Sequence, residues 1–228
     1  TALSPRDTDS LPWSEAEDKA WEARRMEVYA AQIDRMDQGI GRVLKTLRLS
    51  GELENTIIFF LSDNGGCAES ITPDEIPRLI QKSARPETRD GRPVRFGNQP
   101  DIVPGPEDTY TSYGLSWANA SNTPFRKFKC WVHEGGIATP FIVHWPAGLK
   151  RRGELRHQPA QLPDIMATIL EVTDSCYPEK IACRDIKPHE GFSLVPTFQD
   201  LPHAREVLAW EHEGNCGLRK GPWKLVRE

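Results

Sequence analysis

Two short blocks of this chain have the residue types and spacing to hold charge in place. The first is Asp63-Asn64, which follows the apolar run Ile57-Ile58-Phe59-Phe60-Leu61 and Ser62 and precedes Gly65-Gly66. A carboxylate beside a carboxamide offers two hard oxygen donors, the ligand chemistry of Ca²⁺ or Mg²⁺. Taken alone, a turn is the more economical reading, because Asp, Asn and Gly tolerate the backbone angles that turns need. The second block is Lys129 through Gly136. Its lysine suits an anionic oxygen, with a solvated lysine as the plain alternative. His133 lies four residues after Lys129 and would share its face if the segment were helical. His212, between Glu211 and Glu213 at the end of an expected strand, is placed to reach a cleft from a different element. Cys130 beside Lys129 has only His133 near it in sequence and reads better as packing than as a nucleophile. His144, inside a strand, reads as structural.

The blocks in order resemble a known family. Ile57 to Gly66 is followed by Asn122-Thr123-Pro124-Phe125-Arg126-Lys127-Phe128-Lys129-Cys130-Trp131-Val132-His133-Glu134-Gly135-Gly136-Ile137-Ala138-Thr139-Pro140 and then Phe141-Ile142-Val143-His144-Trp145-Pro146. This pattern resembles a type I sulfatase of the alkaline phosphatase superfamily. There a strand closes in Ser-Asp-Asn-Gly, and a later lysine stands five residues before Glu-Gly-Gly and a strand ending in Trp-Pro. The helix from Met26 to Arg42 and the closing Trp210 to Asn215 and Trp223 to Val226 extend the likeness over most of the chain. The resemblance implies sulfate ester hydrolysis, with Asp63 and Asn64 as metal ligands and Lys129 on a sulfate oxygen or supporting the leaving group. His133 and His212 are candidate substrate contacts, and Gly135 and Gly136 serve backbone geometry only. The implied cofactors are a divalent metal, calcium in preference to magnesium, and a formylglycine nucleophile. The implied partner is a sulfated small molecule or glycan, in a periplasmic, extracellular or lysosomal setting.

The departures from that pattern are equally specific. The Cys/Ser-x-Pro-x-Arg motif that matures to formylglycine and an early aspartate pair of the metal site are both missing here. Cys176-Tyr177-Pro178-Glu179-Lys180 imitates the motif, but it has Lys where Arg is required and follows Lys129 instead of preceding Asp63. The chain is therefore expected to correspond to the C-terminal portion of such an enzyme, inactive by itself, with the nucleophile upstream and the N-terminal part of the same protein as its partner. A phosphodiesterase or phosphonate hydrolase of the same superfamily, or a non-catalytic module that binds sulfated glycans, are the alternatives.

Elements must position these residues. Asp18, Glu15 and Glu17 suit the first turn of a helix beginning near Ser14. Tyr29, Ile33, Met36, Ile40, Val43, Leu44 and Leu47 recur at helical spacing and predict a face packed on a core, with Gly51 as the stop. The unalternating run into Asp63 predicts a strand buried on both faces. From Thr72 to Ser121 the chain is rich in Pro, Gly and charge. Apart from a short helix at Asp74 to Lys82, this stretch reads as a long loop, either over the mouth of the site or as a surface insertion. A strand to Trp145, a helix from Leu162 to Val172 with Pro163 at its start, and strands at Glu206 to Trp210 and Trp223 to Val226 complete the order. The expected fold is α/β. By resemblance it is part of a sandwiched mixed β-sheet of alkaline phosphatase-like type in residues 1–186, followed by the start of a small antiparallel α+β unit in 187–228.

Composition removes other classes. The chain has 228 residues, 38% hydrophobic and 27% charged, with net charge −4. That charge and the lack of a basic stripe argue against nucleic acid, and Lys150-Arg151-Arg152 reads as a solvated loop. No apolar run approaches the roughly 20 residues that cross a bilayer. A first residue of Thr1, without a leader segment, suggests a processed product or a fragment. Five cysteines make an odd count. Cys176 and Cys183 are near enough for a local disulfide, though free thiols fit equally. No Cys-x-x-Cys stands at zinc spacing from a histidine, which argues against a structural zinc.

Overall fold

The computed structural model describes residues 3–82, 85–202 and 205–228. In chain order, its elements are α1 (Lys19–Leu49), β1 (Ile58–Leu61), α2 (Ile76–Lys82), β2 (Arg95–Phe96), β3 (Thr109–Tyr110), α3 (Gly114–Ser121), α4 (Glu134–Ile137), β4 (Phe141–His144), α5 (Pro163–Val172), β5 (Lys180–Ile181), β6 (Arg184–Asp185), α6 (Val195–Phe198), β7 (Val207–His212), β8 (Asn215–Lys220) and β9 (Trp223–Arg227). The fold is mixed α/β, as the order of sequence signals predicts.

Helix α1 starts later than expected. A 3₁₀ turn occupies Trp13–Glu15, and Asp18 caps α1 by accepting a hydrogen bond from Trp21 N–H at 2.9 Å. Only the first turns of α1 are enclosed, where Trp21 and Arg25 are buried. The long segment between residues 72 and 121 supplies that enclosure. Trp21 Nε1 donates to Ile102 O (3.1 Å), Arg24 Nε to Pro104 O (3.2 Å), Arg25 Nε to Ser112 O (2.8 Å), and Trp117 Nε1 to Glu22 O (3.1 Å). Backbone carbonyls of an irregular segment need donors, and the long polar side chains of α1 provide them. This segment is thus a wrap around the start of α1 and contributes no lining residue to the cleft described below. Beyond Tyr29, which stacks on Tyr113, the apolar stripe of α1 is bare among the described residues: Ile33, Met36 and Val43 are 42%, 47% and 60% exposed. The helical periodicity is real, and Ile40, Leu44 and Leu47 are half-buried, but among the described residues no strand or long helix covers the Ile33, Met36 and Val43 side.

Strands β1 and β4 pair antiparallel with Ile58 opposite His144 and Leu61 opposite Phe141, and Phe59 stacks on Phe141. The expectation of burial on both faces does not hold within this chain. Phe60 and Ile142, cross-strand partners, are 42% and 57% exposed, so one face of the pair is uncovered. The last three strands form an antiparallel sheet in the order β7-β8-β9. Its middle strand, Asn215–Lys220, carries Gly217 and no alternation, which is why only its neighbours are visible as strands in the sequence. No described helix is long and apolar enough to cross a membrane. All five cysteines are free thiols.

The N-terminal segment is tied to the Lys129 block by an ion pair between Asp7 and Lys127 (2.9 Å), whose side chains are 7% and 16% exposed. The Lys127 hydrogen bond holds the Asp7 carboxyl below its ordinary value. A depressed carboxyl contributes stability above the unfolded value of about 3.9 and loses it as pH falls through the native value. Asp7→Asn should cost about 1–3 kcal/mol at neutral pH. Urea melts should show the gap from wild type closing as pH drops below about 4.

Candidate active site

The two blocks singled out in the sequence are interlocked backbone to backbone. Gly65 N–H donates to Gly136 C=O at 2.9 Å, and Lys129 N–H donates to Gly66 C=O at 3.0 Å. Asn122 bridges them with its amide, accepting from Gly66 N–H (3.0 Å) and donating to Lys127 C=O (3.2 Å). The glycines are required by this approach. A Cβ on Gly65 would lie 1.8 Å from Gly135 O, and one on Gly135 would lie 2.1 Å from Lys127 O. Backbone atoms on both sides leave nothing to rotate away. Gly65→Ala should therefore destabilise by about 3 kcal/mol, the upper range for overpacking, and lower the melting temperature by about 6–12 °C.

This interlock presents Asp63, Asn64 and Lys129 to one cleft of about 1110 Å³, which also takes Cys130, Trp210 and His212 in its lining. Asp63 is exposed and Asn64 half-buried. Asp63 Oδ1 accepts from Asn64 N–H (3.0 Å), and Asn64 Nδ2 donates to Gly65 O (2.8 Å). Those bonds pin both side chains and leave Asp63 Oδ2 and Asn64 Oδ1 without a donor among the described residues. Two adjacent, unsatisfied hard oxygens fit a cation such as Ca²⁺, which takes six to eight such ligands, so this chain would supply only part of the shell.

Lys129 Nζ pairs with Glu69 Oε1 at 2.8 Å and sits 3.9 Å from Cys67 Sγ. The hydrogen bond that it donates to Glu69 raises the lysine above its ordinary value, which keeps it a cation at any working pH. Glu69 was not visible as a partner in the sequence. Its backbone carbonyl accepts from Ser112 Oγ (2.6 Å), and Ser112 is held in turn by Asn98 (3.0 Å). The wrap around α1 thereby also secures the residue that holds Lys129.

His133 and His212 are placed differently. The segment before His133 is not helical. Lys127 and Cys130 take left-handed backbone angles (φ 66° and 80°), so the four-residue spacing does not put His133 beside Lys129. His133 is buried, lies outside the cleft lining, and has Nε2 3.4 Å from Glu228 Oε1. Burial, then the nearby Arg126, lowers its proton affinity. His212 ends β7, is exposed, and lines the cleft from the C-terminal sheet. That sheet is fastened to the interlock by Lys224 Nζ on Glu134 Oε1 at 2.6 Å.

The sulfatase family model matches residues 4–175 of this chain. The chain belongs to the sulfatase family. An uncharacterized sulfatase of Schizosaccharomyces pombe is 34% identical over 220 residues, covering 94% of this chain and 38% of the yeast protein. The arylsulfatase of Klebsiella aerogenes is 32% identical over 200 residues, 82% of this chain and 40% of its own length. A solved chain from work on glycosaminoglycan metabolism by Bacteroides thetaiotaomicron aligns over 84% of this chain and 31% of its own, at 22% identity and a TM-score of 0.48. This sulfatase chain thus spans about two fifths of the length of the two curated relatives described. Membership of the family implies a divalent metal and a formylglycine nucleophile, and the paired oxygens of Asp63 and Asn64 suit the first of these.

Proposed function

We propose that this chain supplies part of the metal site and a sulfate-binding lysine to a sulfuric ester hydrolase that cleaves a sulfate ester to alcohol or phenol plus sulfate. The observation behind this reading is the interlock of the Asp63-Asn64-Gly65-Gly66 turn with the Lys129 to Gly136 segment, which faces two hard oxygen donors and a permanent cation into one cleft. Negative charge grows on the sulfuryl and leaving oxygens as the ester bond breaks, and preorganised positive groups stabilise it. Asp63 and Asn64 would hold Ca²⁺, which when bound supplies Lewis-acid stabilisation of a sulfate oxygen. Lys129 would take another sulfate oxygen. Its raised proton affinity favours the role of fixed charge over that of proton donor. Glu69 holds the ammonium in position until the anionic ester competes for it. His212 is positioned to contact the substrate beyond the sulfate, whereas the buried His133 has no part in this reading.

The exposed stripe of α1 and the uncovered Phe60/Ile142 face would rest against the N-terminal part of the same protein, because apolar patches of this kind mark protein contacts. Within the sulfatases, the arylsulfatase relative favours an aryl or other small organic sulfate. Side-by-side turnover of an aryl sulfate and a phosphate diester by the full-length protein tests the reading. A kcat/KM for the sulfate at least tenfold higher is expected, and a preference for the diester would overturn it.

A further inference from the structure

We propose that Cys130, His212 and Glu213 form a binding site for a thiophilic divalent metal, Zn²⁺ above all, at the edge of the cleft. One ligand atom from each of the three lies within 4.8 Å of the others. Three ligands on one tetrahedral zinc stand about 3.3–3.6 Å apart, given Zn–S of about 2.3 Å and Zn–N of about 2.0–2.1 Å. Closing the difference takes side-chain rotation only, since His212 and Glu213 are exposed and Cys130 is half-buried. The proposal does not depend on the sulfatase reading.

Two features beyond proximity support it. First, no hydrogen bond or ion pair engages the Cys130 thiol, the His212 ring or the Glu213 carboxylate among the described residues, although the adjacent Lys129 and Glu211 side chains have partners. Lys129 holds Glu69, and Glu211 Oε1 accepts from Gly214 N–H at 3.1 Å. Second, two of the three ligands occupy left-handed backbone positions, Cys130 at φ 80° and Glu213 at φ 51°. Non-glycine residues take such angles at a cost, and these angles gather where geometry has a use. Glu213 and Gly214 (φ 86°) close the β7–β8 hairpin as a tight turn, which fixes His212 and Glu213 side by side.

The donor set decides the metal. A thiolate and an imidazole suit zinc and are poor ligands for Ca²⁺, so this set would not compete for the ion suited to Asp63 and Asn64. Three protein ligands leave one tetrahedral position open to water or to an anion entering the cleft. Bound metal would also clip the β7–β8 hairpin to the Lys129 segment. Zinc-finger spacing rules do not detect a ligand set split between residue 130 and residues 212 and 213.

Cobalt titration of the reduced 228-residue chain tests the site without reference to turnover, because a cobalt–thiolate bond absorbs in the near ultraviolet and oxygen or nitrogen ligation alone does not. One Co²⁺ per chain with a thiolate band, displaced by Zn²⁺, is expected. Cys130→Ser should abolish the band, and Cys216→Ser should keep it. His212→Ala and Glu213→Gln, both at exposed positions where folding is unaffected, should each weaken binding at least tenfold. Absence of the band in wild type, its persistence in Cys130→Ser, or unchanged affinity in both exposed variants would overturn the proposal.

Discussion

Replacing Lys129 with alanine in the full-length protein is expected to lower kcat/KM for an aryl sulfate by about 10²–10³-fold, the range for removing one preorganised charge-stabilising group. The loss should appear in kcat as well as in kcat/KM, because the charge it meets develops in the transition state. Folding should be spared. The ammonium is partly exposed, its ion pair is with the exposed Glu69, and the backbone bond from Lys129 N–H to Gly66 survives the substitution. Exposed pairs of this kind contribute at most about 1 kcal/mol. Steady-state kinetics with a thermal melt on the same sample checks both halves of the expectation. Unchanged turnover would remove Lys129 from the site.

The largest effect on stability is expected far from that lysine, at Asp164. Its side chain is fully buried and serves as a hub: Oδ2 accepts from Gln161 N–H (2.8 Å), and Oδ1 accepts from Phe192 N–H (2.9 Å) and from the Arg205 guanidinium. One turn on, Thr168 Oγ1 donates to Asp164 O (2.6 Å) and accepts from Leu194 N–H (2.9 Å). Together these bonds fix the segment from Gly191 to Leu194 against α5. Asp164→Ala takes a carboxylate partner from the nearly buried Arg205 guanidinium and removes the acceptor of two partly buried N–H groups. Breaking a buried pair from one side costs about 3–5 kcal/mol, or about 6–20 °C in melting temperature for a chain of this size. A melt within 2 °C of wild type would show that the hub is not structural.

What was legible in the sequence follows from physical range. The unalternating run before Asp63 reports a strand, and the strand is there. Gly135 and Gly136 report a close backbone approach, and they meet the Gly65-Gly66 turn. The helix at α5 is legible from Pro163 and its apolar spacing. Partnerships set by tertiary packing were not legible. Glu69 reaches Lys129 across 60 residues, and Asp164 reaches Arg205 across 41, with nothing local to mark either. Asp164 reads simply as an acidic residue in a first helical turn. His133 does not share a face with Lys129, because residue spacing implies that only in a helix, and the left-handed Cys130 interrupts the stretch between them. The stripe on α1 shows why a pattern is weaker than a contact. Periodicity says that a face is apolar and not what covers it, and here Ile33, Met36 and Val43 remain exposed. The sequence leaves the 72–121 segment open between a cover over the site and a surface insertion, whereas its Ile102, Pro104 and Ser112 carbonyls accept from Trp21, Arg24 and Arg25.

The central claim is that the turn after β1 and the segment before α4 build one site. A double-mutant cycle in the full-length protein tests this most directly, with Asp63→Ala, Lys129→Ala and the pair assayed on the same aryl sulfate. Groups that act as a unit give losses that do not multiply, so the double variant is expected to be little slower than the slower single one. Losses that multiply, or an Asp63→Ala enzyme as active as wild type, would contradict a shared site.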